Sequence, residues 1–361
     1  MAWRSDLIDR RSFVKAAGIA FASALSPGSL MALERADAVY ASGFRSPDGS
    51  FGIATVSERG EIIDRVPLPA RAHGIAFNPA TGRIAAFARR PGTFAMILSA
   101  PAGHEPVMIS APEDRHFYGH GAFSPNGRFL YASENDFDGN RGMIGVYDGT
   151  NGFARIGEFP SYGIGPHDMT LSADGHMLVA ANGGIETHPE FGRTKLNLDR
   201  MEPSLVLIDA RDGRLIQKHA LPSSLRRLST RHVAVGNGNR IWFACQWEGD
   251  RSASPPLVGH LDPGHDVTFV SLPDRITAGL ANYVGAVAVN RRDDIVGLTS
   301  PKGGFSVSLD ATTGEVVSSE RVPNAAGMAP ATHGITISTY DGRFGKTRSR
   351  VAWDQHIARI A

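Results

Sequence analysis

Hydrophobic and polar positions recur along this chain in one repeated pattern. Residues 115–136, RHFYGHGAFSPNGRFLYASEND, read as an alternating apolar run, a Pro-Asn-Gly turn and a second alternating run. That pattern predicts strand, tight turn, strand. It returns as HGIAFNPATGRIAAFARR from His73, HDMTLSADGHMLVAANGG from His167 and RHVAVGNGNRIWFACQ from Arg231. It returns again, without a histidine, as VGAVAVNRRDDIVGLTSPKGG from Val284. The step from His73 to His120 is 47 residues, and so is the step from His120 to His167. The next step, to His232, is 65 residues because the third unit carries an insertion. A period in the mid-forties with several short strands per unit predicts the blades of a β-propeller.

Later strands in three of the units form an outer hairpin around an Asp-x-x-x-Gly turn, in VYDGTNG, LIDARDG and SLDATTG. This device resembles the YVTN and quinoprotein-like propeller repeats, which host many functions. No long apolar period of 3.6 residues follows the first 38 residues, so the predicted fold is all-β. The chain beyond Ala38 has 323 residues, about seven units of this length. The prediction is a seven-bladed β-propeller over residues 39–361, closed by pairing strands near Val39–Arg45 and Val351–Ile360 in one blade. Such closure removes free sheet edges.

The N-terminal segment, residues 1–38, is expected to be a twin-arginine signal peptide that is removed. Asp9-Arg10-Arg11-Ser12-Phe13-Val14-Lys15 matches the export consensus, and a weakly apolar run and an Ala36-Asp37-Ala38 cleavage site follow. The run from Ala16 to Leu25 is too short to span a bilayer. The expected location is therefore the periplasm, with no integral membrane segment in the mature chain. Cleavage would leave 32 basic and 32 acidic residues. That balance argues against nucleic acid as a partner. The single cysteine, Cys245, excludes an intrachain disulfide and lies in the strand-like IWFACQW, where a buried thiol is expected.

His73, His120, His167 and His232 each stand near the head of a predicted first strand, the strand that lines a propeller's channel. Neutral imidazoles brought to one mouth suit transition metals, and their affinity for a cation should fall as pH drops through about 6.5. Parity complicates this. His73 and His167 lie four residues before the apolar anchors Phe77 and Leu171, whereas His120 and His232 lie three before Phe123 and Val235. In regular strands that difference sends the two pairs to opposite faces, unless a bulge restores convergence. The alternative role is to brace loops between blades by hydrogen bonds to backbone. The insertion at residues 182–204 supplies Glu186, His188, Arg193 and Lys195, which with Arg90 and His116 make a second candidate set. Arg89-Arg90 and Arg115-His116 are an anion patch or solvated loops, and Glu134-Asn135-Asp136 suits hydrogen bonding between blades. Asp354 beside His356 reads as an acid that orients a histidine. No HExxH, CxxC, GxSxG or Walker spacing is present.

The motifs DRRSFVK, ARRPGTF, RHFYGHGAFS, SENDFDGNRG, GIGPHD, ANGGIETHPEFGRTKLNLDRMEPSL, STRHVAV, QWEGD, YVGAVAV and AWDQH together resemble an uncharacterised family of exported bacterial propellers, of quinoprotein amine dehydrogenase-like fold. The resemblance covers the mature chain. It departs near Gly327, where a cysteine is common before the glycine and Ala326 stands here. Members' genes lie beside imelysin-type proteins and a dihaem-peroxidase-like partner in iron-supply clusters. The resemblance thus implies a binding or accessory protein of iron acquisition, with imelysin-type or haem-containing periplasmic partners, that would hold a metal, a metal complex or a partner protein at the channel mouth; the resemblance points to iron, and the imidazoles to copper as well. Two other readings stand beside it: a metal- or quinone-dependent redox enzyme, and a purely structural interaction platform.

Overall fold

The computed structural model describes residues 38–99 and 105–361. The export motif around Arg10 and Arg11 lies outside the described residues. Seven antiparallel sheets of four strands each radiate from a common axis. We number the blades by their inner strands: Ala72–Asn78, Arg115–Phe123, Pro166–Leu171, Leu228–Val235, Ala286–Asn290, Ala325–Pro330 and Ala352–Arg359, for blades 1 to 7. Each inner strand packs beside the next, and that of blade 7 returns to blade 1, so the ring is closed.

Blade 7 is made from both ends of the chain. Its inner strand is C-terminal, and Tyr40–Arg45, Phe51–Val56 and Ile62–Leu68 follow outward. Tyr40 pairs with Arg359 and Phe44 with Trp353. The seam is apolar: Tyr40, Phe44, Val56, Phe344, Val351 and Trp353 are all buried together. The Phe344 and Trp353 ring centroids lie 5.1 Å apart. Aromatic burial of this kind dominates core energetics, so closure is held by packing as well as by the strand ladder.

Middle strands are buried on both faces because each sheet is covered by a blade on either side. The blade 1 strand Phe94–Ser99 is buried throughout, whereas the outer blade 2 strand Ala154–Pro160 alternates exposed and part-buried positions. The Asp-x-x-x-Gly device works as an Asx turn. Asp310 Oδ1 accepts the Thr312 and Thr313 amides at 2.8 Å, and Gly314 sits at φ 77°, where a side chain would be strained. Cys245 is fully buried in Ile241–Trp247, and burial raises its thiol pKa, which leaves it protonated and inert. One departure from strand structure stands out: a short α-helix, Asp274–Gly279, links blades 4 and 5. Among the described residues no helix is long and apolar enough to cross a membrane.

Candidate metal centre

The inner strands are irregular where the histidines stand. In blade 1 the pairing steps from Ala72–Ala88 to Ile75–Ala86, which leaves an extra residue around His73. In blade 2 it jumps from Phe117–Glu134 to Gly121–Ala132, around His120. Shifts between Pro166 and Asp168, and between Thr230 and His232, do the same for His167 and His232. The closing strand slips between the pairs Ser42–Ile357 and Phe44–Trp353, and His356 lies in that slip. A bulge re-aims side chains and cancels the alternation of a regular strand. His73 and His167 are therefore not sent to the face opposite His120 and His232, as strand parity alone would require. Blade 5, with a regular inner pairing, carries no histidine on its inner strand.

Five imidazoles consequently meet on the axis. Ring centroids are 4.8 Å apart for His73 and His120, 5.5 Å for His120 and His167, and 5.0 Å for His167 and His232. His356, expected only at the edge of the site, lies inside it, 4.6 Å from both His73 and His120 and 5.0 Å from His232. Two triads place one ligand atom each within 4.8 Å of the others: His73, His120 and His356, and His120, His167 and His232. His120 belongs to both. Glycine is required beside them. Gly119 has φ 104°, and a Cβ there would meet His73 Cδ2 at 2.9 Å; a Cβ on Gly74 would meet His120 Nδ1 at 2.7 Å.

Asp168 holds the cluster's orientation. His120 Nδ1 lies 3.0 Å from Asp168 Oδ1, so it carries the proton and leaves Nε2 as an acceptor or ligand. The carboxylate also accepts the Met169 amide at 2.7 Å and the Val233 amide at 3.2 Å. Burial would raise this carboxyl's pKa, but His120 and His232 outweigh it and hold it well below the usual range. Five of the cluster's other ring nitrogens are orphaned. His73 Nδ1, His120 Nε2, both nitrogens of His232 and His356 Nε2 are buried with no hydrogen-bond partner among the described residues. His232 Nδ1 stands 3.6 Å from Asp168 Oδ2, too long for a hydrogen bond. Buried polar atoms are ordinarily paired, so five orphans in one place ask for a ligand. Burial, and then repulsion from neighbouring rings and arginines, pushes His73, His167 and His356 well below their ordinary pKa; burial also lowers His232. These four rings are neutral at pH 7, as metal ligation requires. They protonate below the 6.5 expected from ordinary imidazole.

The second candidate set does not join the cluster. His116 Nδ1 donates to the Phe117 carbonyl at 3.0 Å, and its Nε2 accepts from Asn135 Nδ2 at 3.0 Å, so both nitrogens are used. His188 caps the 3-10 turn Pro189–Phe191 by accepting the Glu190 amide. Glu186 pairs with Arg200 at 3.1 Å, and Lys195 pairs with Glu248. Arg90 lies over the Tyr118 ring, and Arg193 is exposed on the insertion. Asp354 orients no histidine. Its carboxylate takes Arg71 in a two-pronged pair at 2.7 and 2.9 Å. Glu134 and Asp136 serve blade 2 alone, Glu134 binding Tyr147 Oη at 2.6 Å and Arg155 at 2.9 Å. A cleft of about 750 Å³, lined by Lys195, Trp247, Glu248, Asn282 and Lys302, opens beside the mouth.

Fold and site together define a closed seven-bladed propeller with five histidines gathered on its axis. The chain belongs to the family described as "Protein of unknown function (DUF1513)", matched over residues 66–360. No curated protein matches it. Among solved structures it is similar to Kuenenia stuttgartiensis hydrazine synthase, with a TM-score of 0.62 and 14% identity over 87% of this chain and 94% of that one. It is also similar to the β-propeller domain of Myceliophteria thermophila Cps50 (Swd1), with a TM-score of 0.56 and 11% identity over 84% and 94%. At these identities the likeness is one of fold.

Proposed function

We propose that this propeller is a periplasmic metal-binding protein, accessory to iron acquisition, that takes an iron or copper ion on its axial histidines. One observation carries the reading: five imidazoles from five blades converge, with buried nitrogens that have no partner. His120 is the ligand shared by both triads, and Asp168 fixes its tautomer and ring orientation. Neutral imidazole suits copper and iron, and a divalent ion would satisfy nitrogens that now have no partner. The periplasmic setting rests on the Arg10-Arg11 motif, and the link to iron on the resemblance drawn from the sequence. Metal analysis of protein exported through its own signal tests this. Iron or copper in stoichiometric amount is expected, and its loss in the His120→Ala, His167→Ala double variant, with the propeller still folded. A folded wild-type protein that retains neither metal, even after titration with both, overturns the reading.

A further inference from the structure

The mouth above the histidines carries a second unmet demand, of opposite sign. In each blade, the loop after the second strand opens on the end of the channel where the histidine-bearing strands begin. Arg89 and Arg90 follow the blade 1 strand Arg83–Ala88, and the Ala88 carbonyl would lie 3.3 Å from a Cβ on Gly119, next to His120. Arg231 precedes His232 on the inner strand of blade 4. Arg193 stands on the blade 3 insertion, near enough to Arg89, Arg90 and Arg231 to feel their charge, and the insertion is anchored to its neighbours by Asn135 bonding the Thr187 carbonyl and by Lys195 on Glu248.

These cations are poorly matched. Arg89, Arg90 and Arg193 take part in no ion pair among the described residues. The Arg231 side chain is only 8% exposed, and it shares one carboxylate, Glu248, with Lys195 at a long 3.5 Å. The Nε atoms of Arg89 and Arg231 are buried without partners. Burial lowers the pKa of Arg89 and Arg90, and partial burial together with repulsion from Arg89, Arg90 and Arg231 pushes Arg193 down to about 10. Buried unpaired guanidinium groups are costly, and their planar donors fit carboxylate and oxyanion oxygens two at a time.

We propose that the mouth binds a small polycarboxylate, held between Arg89 and Arg90 on one side and Arg193 and Arg231 on the other, directly above the histidine cluster. The charges come from blades 1, 3 and 4, so a ligand with carboxylates at more than one end is favoured over a single carboxylate. The four arginines are distinct from the five histidines, so this inference stands apart from the metal reading. It also complements it, because a polycarboxylate over the histidines would offset the repulsion between a bound cation and the arginines.

The test is calorimetric titration of metal-free mature protein, at low ionic strength, with citrate and with acetate as probes. Citrate should bind at least roughly ten-fold tighter than acetate and should raise the melting temperature. Binding should weaken roughly ten-fold or more in the Arg89→Gln, Arg231→Gln double variant and less in Arg193→Gln. Arg193 is exposed on the insertion and outside the blade cores, and the melting temperature of the ligand-free variant checks that it stays folded. Arg211→Gln, at a turn on the opposite end of blade 3, should bind as wild type. The His120→Ala, His167→Ala variant should still bind citrate, which separates this site from the metal site. No citrate binding by folded wild-type protein, equal binding of citrate and acetate, or unchanged binding in Arg193→Gln together with the double variant would overturn the proposal.

Discussion

His116 and His120 stand four residues apart on the inner strand of blade 2, and both are buried. Their surroundings differ in kind. At His116 the chain supplies an acceptor for one nitrogen and a donor for the other. At His120 it supplies Asp168 for Nδ1 and leaves Nε2 facing other imidazoles. A buried histidine whose polar atoms are all matched is part of the scaffold. One that is oriented on one side and orphaned on the other is prepared for something the chain does not contain. The bulge between Phe117 and Gly121 separates the two environments.

Exchanging each residue for alanine is the strongest way to break this contrast. His120→Ala removes the residue common to both triads and should lower metal affinity by roughly 100-fold or more, measured by competition with a chelator. His116→Ala should leave metal affinity unchanged. It leaves one Asn135 N–H without its acceptor, while the bond to the Thr187 carbonyl stays, and should cost about 1–3 kcal/mol of stability by chemical denaturation. Equal metal loss in the two variants would erase the distinction.

Asp168→Asn sharpens it. The amide still fills the space but no longer fixes the His120 tautomer by charge. Metal affinity should fall roughly 10- to 100-fold, as for other residues that orient a metal-bound histidine. An affinity within about two-fold of wild type would show that Asp168 serves the backbone amides of Met169 and Val233 alone.

The smallest effect is on pH dependence of the metal-free protein. The folded-state pKa values of His73, His167 and His356 lie below the unfolded value of about 6.5. Between those limits the unfolded chain binds more protons than the folded one, so stability falls as pH drops below about 6.5. Urea unfolding from about pH 7.5 to 5 should show this decline, and His73→Phe should flatten it. A stability that is level across that range would contradict the neutral, desolvated cluster.

The repeat period and the Asp-x-x-x-Gly turns were legible in the sequence because each depends on local pattern, and they carry the blade count and the closing seam. Four of the five axial histidines were legible for the same reason, as heads of repeated strands. His356 was legible only as a neighbour of the site, because the closing strand ends the chain and lacks the pattern of the other units. Asp168 was missed although it follows His167 directly in GIGPHD. In a regular strand adjacent side chains point to opposite faces, and only the slip between Pro166 and Asp168 lets both serve the axis. Bulges are properties of two paired strands, so a single strand's residues do not announce them. Asp354 misled in the opposite direction: it stands two residues from His356 but meets Arg71, which is remote in the chain.

Anomalous diffraction from crystals of the metal-loaded protein, recorded on both sides of the absorption edge of the bound iron or copper, tests the central claim most directly. One dominant anomalous peak is expected on the propeller axis, about 2 Å from His120 Nε2 and from at least two more of the five imidazoles. A peak held by His116, His188 or surface carboxylates, with the axial cluster empty, would contradict it.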